Sequence, residues 1–394
     1  LNGLQRWRAG SPSATRRRPY ALGIDFDSDG VAAPSQASQA RRGPQALESS
    51  PWPGLELGDA GLALEGVAPE DLVRLEVKME ALEQIPDLSF APRLRILILS
   101  GNQLRDLEPL RHCPCLEELV LTQNSLTSLR GLKQVPRLVT LRAKMNEITD
   151  ASDLAALQAL RTVELEKNRL NAVQVQATGL AKLVLYRNAL TSTAFLEHLP
   201  SLTELDLGRN QLTSVDARIS EWNPLLMKVF LYENKIGELP ELRLPLLTDL
   251  WVDSNRLQAL GPLGFLPSLE RLQAKTNQIR TLASPISASP LLQSLELAFN
   301  QLGPLEATCA VPQHPRLRRL QLTDNPPLAA ELMEGYRPWV LRLAPQLEEL
   351  DNETVGEAER LSALAARAAD DPHFPHQLSL GLAAGVFDAE RQWP

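Results

Sequence analysis

The chain has 394 residues, a formal net charge of −8 and 5% aromatic residues, and leucine far outnumbers every other residue type. An acidic chain is a poor general binder of nucleic acid, because that binding depends on Lys and Arg displacing counterions from phosphates. The 3 cysteines cannot form a disulfide framework, which favours a reducing compartment, and the apolar runs are too short to span a membrane. A leucine excess of this size indicates an internal repeat.

The N-terminal segment, residues 1–53, is rich in Arg, Ser, Ala, Gln, Gly and Pro and has few large apolar residues. We expect it to be a largely disordered arm. The part that precedes Asp25 contains arginines but no acidic residue, as transit peptides do, so organelle targeting stays open as an alternative.

Asp25, Asp27, Asp29 and Gly30 spell DxDxDG in this arm, which is how an EF-hand calcium loop begins. Position twelve of such a loop would be Gln36 instead of a bidentate glutamate. The same residues resemble the nucleophile motif of haloacid-dehalogenase phosphatases, but a Pro- and Gln-rich stretch follows in place of an α/β domain. We therefore interpret the motif as an acidic spot in a disordered arm.

Residues 54–335 are predicted to form a repeat domain, in which the pattern LxxLxLxxNxL recurs in twelve copies from Leu72 onwards. The first copy is degenerate and carries Glu80 in place of the asparagine. Successive asparagines recur at intervals of similar length, which predicts a stack of about twelve equivalent coils. The repeat asparagines are Asn102, Asn124, Asn146, Asn168, Asn188, Asn210, Asn234, Asn255, Asn277, Asn300 and Asn325.

Each half of the repeat predicts a local structure. Alternating leucines have the period of two that sends one face of a short strand into a core. The asparagine amide can pair with backbone groups of its turn and of the neighbouring coil, giving a ladder of buried amides. The second half has apolar residues at every third position and a closing proline, which predicts a 3₁₀ or extended return segment. Because one coil cannot bury its own leucines, the coils must stack.

The repeats resemble the 22-residue class of intracellular leucine-rich repeats, typified by a regulatory subunit of protein phosphatase type 1. This resemblance implies an α/β fold, a curved leucine-rich-repeat solenoid with a parallel sheet on its concave face. Residues 336–358 resemble the cap that closes this class, and 359–394 read as a helical extension and tail. The residues that match the pattern of the cap include Tyr336, Arg337, Leu347, Leu350 and Asp351.

The polar residues predict neither catalysis nor a metal or cofactor site. Cys113 and Cys115 are interpreted as loop cysteines, because a zinc site needs about four ligands at closed spacings. His112, His198 and His314 fall in return segments, so we expect them away from the concave face. A Ser-His or Cys-His arrangement on that face is therefore excluded.

The third, fifth and seventh positions of LxxLxLxx are expected to project outward on the concave face. In copies six to nine these positions combine aromatic and acidic residues, which favours a protein-binding hot spot over mere cover for neighbouring strands. These residues are Tyr186, Glu204, Asp206, Phe230, Tyr232, Asp249, Trp251 and Asp253. A second patch, Ile96, Ile98 and Val120, is expected to pack under the arm.

The acids favour a partner with a basic surface. The resemblance to phosphatase regulators, which bind their catalytic subunit through concave acids and aromatics, adds Glu164 and Glu296 to the expected partner-binding residues. It implies a non-catalytic intracellular scaffold, monomeric before complex formation, with a phosphatase catalytic subunit as partner. A ciliary or cytoskeletal protein with a dynein- or tubulin-type partner is the alternative, and a spliceosomal assembly protein is a third.

Overall fold

The structure is a computed structural model that describes residues 71–365, with gaps at 261–265, 283–288, 305–306, 308–313 and 329–334. The predicted disordered arm with its DxDxDG motif and the tail beyond residue 365 lie outside the described residues. Cys309 also lies outside them.

Each repeat copy contributes one short strand, at the third to fifth positions of the motif. In the described part of the chain the repeat strands are β1 (Arg74–Glu76), β2 (Ile96–Ile98), β3 (Glu118–Val120), β4 (Thr140–Arg142), β5 (Thr162–Glu164), β6 (Lys182–Val184), β7 (Glu204–Asp206), β8 (Lys228–Phe230), β9 (Asp249–Trp251), β10 (Arg271–Gln273), β11 (Ser294–Glu296) and β12 (Arg319–Gln321). They pair in parallel in chain order, with matching motif positions opposite each other, as in Leu205 against Val229. The predicted α/β solenoid with a parallel sheet is confirmed.

The C-terminal end adds two short strands to this sheet and also contains two helices. Helix α2 (Tyr336–Leu343) leads into β13 (Glu349–Leu350), which is parallel to β12, and β14 (Glu353–Thr354) then pairs antiparallel to β13. Helix α3 (Glu357–Ala365) follows. This helix begins only at Glu357, because Glu353 and Thr354 pair with β13.

Four of the described return segments contain short 3₁₀ helices, one of the two conformations that their three-residue period predicts. These lie at Glu108–His112, Leu132–Gln134, Ser152–Ala156 and Ala194–His198. Copy seven, whose return segment between Asn210 and Asn234 is longer than those of the preceding copies, instead forms a short α-helix, α1 (Ile219–Trp222).

Inward side chains of the strands and return segments meet in one core that runs along the stack, where residues such as Leu199 are 0% exposed. Cys113 lies in the loop that follows the 3₁₀ helix Glu108–His112, and its side chain is also fully buried in the core. Cys113 occupies the return position that holds Val135, Leu157 and Leu199 in other copies. Burial raises the pKa of its thiol to about 12, so the thiol stays protonated.

Candidate protein-binding surface

The repeat asparagines hold the end of each strand in place. Asn124 donates from Nδ2 to the carbonyl oxygens of Leu99 (2.9 Å) and Leu121 (3.0 Å), and its Oδ1 accepts the N–H of Leu104 (3.1 Å). Equivalent contacts occur at Asn102, Asn146, Asn168, Asn188, Asn210, Asn234, Asn255, Asn277, Asn300 and Asn325. The residue before the asparagine has a positive φ, such as 52° at Arg209, so each strand ends at the same point of its coil.

Four aromatic side chains from copies six, eight and nine meet on the concave face. Phe230 and Trp251 lie edge to face, with ring centroids 4.8 Å apart and planes inclined by 71°. The ring of Tyr232 lies 6.3 Å from that of Trp251 and 5.8 Å from that of Tyr186. All four are half-buried, and together they form one continuous surface that we call the aromatic cluster.

Gly208 explains how Tyr186 and Tyr232 meet across an intervening coil. It occupies the seventh motif position of copy seven, between the positions of the two tyrosines. A Cβ atom at Gly208 would lie 2.5 Å from Cζ of Tyr232, so the glycine leaves the space in which that ring lies. Gly208 was not among the predicted site residues, although a glycine between two aromatic residues at one motif position was a usable signal.

Asp206 and Asp253 flank the aromatic cluster and bear shifted pKa values. Burial raises the pKa of Asp206 to about 6, opposed by the N–H of Gly208 (2.9 Å from Oδ1) and assisted by the charges of Glu166 and Glu204. Burial also raises the pKa of Asp253 to about 6, although it accepts the N–H of Lys275 at 2.8 Å. Both carboxylates therefore lie in surroundings that would favour a nearby cation.

Glu164 and Asp249 lie on the same face but are buried, which differs from the exposure expected for outward positions. Glu164 contacts Lys144 at 2.9 Å, Arg142 at 3.4 Å and Lys182 at 3.8 Å. These cations from neighbouring strands cover its carboxylate.

Asp249 is covered in the same way by groups on and beside its strand. It pairs with Arg271 and accepts a hydrogen bond from Oγ1 of Thr248 (2.8 Å). Burial alone would raise the pKa of Asp249, but these hydrogen bonds outweigh it and the pKa is lowered. This carboxylate is therefore already compensated within the chain.

Glu204 and Glu296 also have partners within the sheet. Glu204 contacts Lys182 at 2.9 Å and Glu296 contacts Lys275 at 2.5 Å. A hollow of about 350 Å³ lies beside Glu296, between the aromatic cluster and the C-terminal strands. Its lining residues are Lys228, Phe230, Asp249, Trp251, Arg271, Gln273, Ser294, Glu296 and Arg319.

The predicted cap residues lie together at the C-terminal end of the sheet. Tyr336 donates from Oη to Oδ2 of Asp351 (2.9 Å), while Oδ1 of Asp351 accepts the N–H groups of Leu322 (2.8 Å) and Thr323 (3.1 Å). Arg337 donates to the carbonyl of Leu350 (3.1 Å). Leu347 and Leu350 are fully buried beneath these contacts.

Other predicted features are placed away from the aromatic cluster. Ile96, Ile98 and Val120 lie half-buried on strands β2 and β3. His112 and His198 end 3₁₀ helices of return segments. His314 is buried before β12, with Nδ1 3.2 Å from the carbonyl oxygen of Ser289.

Within the described ranges, the chain shows no group of three or more His, Cys, Asp or Glu that could hold a metal ion. A helix both long and apolar enough to cross a bilayer is likewise absent from that part.

Comparison with known families identifies the repeat type. The family model described as Leucine Rich repeats (2 copies) matches residues 92–134, and the model described as Leucine Rich repeat matches residues 198–218. The repeats are leucine-rich repeats.

Two curated relatives and one solved structure extend this result. The chain is 36% identical over 136 residues to U2 small nuclear ribonucleoprotein A′ of Neurospora crassa, covering 34% of this chain and 53% of the relative. It is 34% identical over 141 residues to human Cilia- and flagella-associated protein 410, covering 36% and 52%. The chain therefore spans about half the length of the curated relatives it matches.

The crystal structure of an internalin (inlF) from Listeria monocytogenes superposes with a TM-score of 0.55 at 22% identity, covering 73% of this chain and 88% of that one. At this identity the likeness concerns the leucine-rich-repeat fold alone.

Proposed function

We propose that this chain is a non-catalytic scaffold that binds a protein partner on its concave face. The observation that carries the proposal is the aromatic cluster, in which four half-buried rings contact each other on the face opposite the core. Aromatic side chains rimmed by charge are typical of binding hot spots.

The carboxylates beside the cluster support a partner with a basic surface. Within the described residues, neither Asp206 nor Asp253 has a side-chain nitrogen of Lys or Arg within 4.0 Å. A partner arginine placed between them and the rings would gain both ion pairing and cation–π contact. Glu164 and Asp249, in contrast, would first have to release cations of their own chain.

We propose three classes of protein partner for the concave face. The first choice is a regulatory subunit similar to the protein phosphatase 1 regulator, supported by the residue type and strand position of Glu164, Asp206, Phe230, Trp251 and Glu296. Similarity to Cilia- and flagella-associated protein 410 supports the second candidate, a ciliary scaffold with a dynein- or tubulin-type partner. Similarity to the A′ protein supports assembly into a ribonucleoprotein through a protein partner.

Capture of partners from lysate tests the concave-face proposal. We expect the Phe230→Ala/Trp251→Ala double variant to lose partners that the wild-type chain retains. The control is Trp222→Ala/Phe299→Ala, which removes one Trp and one Phe away from the aromatic cluster. Its partners should match those of the wild type.

Recovery of the same partners by both double variants, with both folded, would show that the aromatic cluster is not the binding site. The captured proteins also separate the classes, because a phosphatase catalytic subunit, an axonemal protein or a ribonucleoprotein component each supports a different candidate.

A further inference from the structure

Positive charge is concentrated along the edge of the sheet where the strands end. Two columns of residues occupy this edge, namely the left-handed residue before each repeat asparagine and the residue after it. In copies five to nine all ten positions of these columns are described, and Glu233 is the one acid among them. Six are cations, which we call the basic edge: Lys167, Arg169, Arg187, Arg209, Lys235 and Arg256.

Backbone hydrogen bonds align these residues from coil to coil. In the first column the N–H of Lys167 donates to the carbonyl of Tyr186 (2.8 Å), and that of Arg187 donates to the carbonyl of Gly208 (2.8 Å). Adjacent coils are about 4.8 Å apart, so four steps make the basic edge about 19 Å long.

The cations of the basic edge are exposed and only partly neutralised. Arg169 contacts Glu147 at 3.2 Å and Arg209 contacts Glu233 at 2.6 Å. For the other four, the described residues supply no carboxylate within 4.0 Å. An unbalanced positive strip therefore lies on a chain whose formal net charge is −8.

We propose that the basic edge binds an extended acidic segment of a partner polypeptide. An extended chain advances about 3.3 Å per residue, so about six residues match a strip of this length. The ion pairs of Arg169 with Glu147 and of Arg209 with Glu233 are examples of the contact that such a segment would make.

A nucleic acid fits this strip less well. Single-stranded nucleic acid is bound by cations together with aromatic rings on which bases stack. The ten described positions of the two columns contain no aromatic residue, and the nearby ring of Tyr186 is covered by Arg209, whose Cζ lies 5.7 Å from the ring centroid. Outside the basic edge, acidic residues outnumber basic ones, and this negative charge would also repel a long phosphate backbone.

Anisotropy of a fluorescent deca-glutamate peptide, titrated with the full chain at about 50 mM salt, tests the proposal. The edge variant is Lys167→Gln/Arg187→Gln/Arg256→Gln. The control, Arg130→Gln/Lys133→Gln/Arg137→Gln, removes three exposed cations from the return segment of copy three. We expect about tenfold weaker binding by the edge variant and less than about twofold weakening by the control. Binding by the wild type should weaken as salt rises.

Three results would overturn the proposal: no binding of the peptide by the wild-type chain, equal loss in both triple variants, or tighter binding of a deca-uridylate than of the peptide. Both variants change only exposed positions, and their thermal melts should overlay that of the wild type. They also leave the aromatic cluster intact, so failure here is distinguishable from failure of concave-face binding.

Discussion

Asn210 illustrates at the scale of one residue why the repeat requires an asparagine. Its Nδ2 donates to the carbonyls of Leu185 (3.0 Å) and Leu207 (3.0 Å), and its Oδ1 accepts the N–H of Leu190 (3.0 Å). These backbone groups lie in the buried interior, where each unpaired group costs about 1–3 kcal/mol. Aspartate could not donate, and the longer glutamine would place its amide elsewhere, so asparagine alone offers both functions at this length.

Asp206 is expected to make stability depend on pH. Its folded-state pKa of about 6 lies above the ordinary value of about 3.9, so the folded protein binds the proton more tightly than the unfolded chain. This contribution is fully present below pH 4 and is lost as the pH rises through 6. We expect Asp206→Asn to stabilise the fold by about 1–3 kcal/mol at pH 7.5, with the gain shrinking towards pH 4.

Denaturant unfolding at several pH values measures this difference. The control is Asp324→Asn, which neutralises an exposed carboxylate, and it should change stability by less than about 0.5 kcal/mol. A gain from Asp206→Asn that is constant between pH 4 and 7.5 would contradict the assignment.

Strand β7 shows how one element shapes the surface formed by its neighbours. Its flanking strands lead into Tyr186 and Tyr232, and the rings meet because Gly208, two residues after β7, presents no side chain. Gly208 does not have the positive φ that would demand glycine, so its role is the space it leaves. The aromatic cluster therefore depends on Gly208, although this residue has no aromatic ring.

We expect Gly208→Ala to displace the Tyr232 ring, because the new Cβ would lie 2.5 Å from its Cζ. Near-ultraviolet circular dichroism should change and partner capture should fall, at a stability cost of about 1–3 kcal/mol. Gly237→Ala is the matched control, since nothing lies within 4 Å of a Cβ there. Identical spectra for the two variants would show that Tyr232 adjusts freely.

The elements also show how far sequence reasoning reaches. The period of the repeat located the twelve strands and the asparagines, because these depend on contacts that recur in every copy. The covering of Asp249 by Arg271 was not foreseen, although aligning copies nine and ten places the two side by side. The burial of Cys113 was not foreseen, because a single return segment, read without its equivalents, does not reveal an inward position. The repeat pattern does not predict contacts that occur between only one pair of copies.

The whole molecule is a stack in which each coil packs mainly on its two neighbours, so its ends need protection. The cap supplies this at the C-terminal end, where Trp339, Leu347 and Leu350 cover the last coils. Asp351 links the cap to copy twelve by accepting hydrogen bonds from the N–H groups of Leu322 and Thr323. Stability at this end should therefore respond to the cap without involving the far end.

We expect Asp351→Ala to destabilise the C-terminal end by about 2–4 kcal/mol, because it leaves two backbone N–H groups and Oη of Tyr336 without their acceptor. Hydrogen exchange should accelerate in peptides that cover β12 and β13 and stay unchanged in those that cover β1–β5. Glu357→Ala, at an exposed position of α3, is the control. Uniform acceleration along the chain would mean that the stack unfolds as one unit.

The unequal repeat lengths carry a consequence for how such a protein can change. Although the asparagines are unevenly spaced along the chain, every repeat strand has the same length and stays in step with its neighbours. Differences in repeat length therefore fall in the return segments, while the outward residues of the strands keep their alignment across the sheet. An insertion in a return segment could therefore leave the binding surface unchanged. A substitution at an outward strand position could likewise leave the core unchanged.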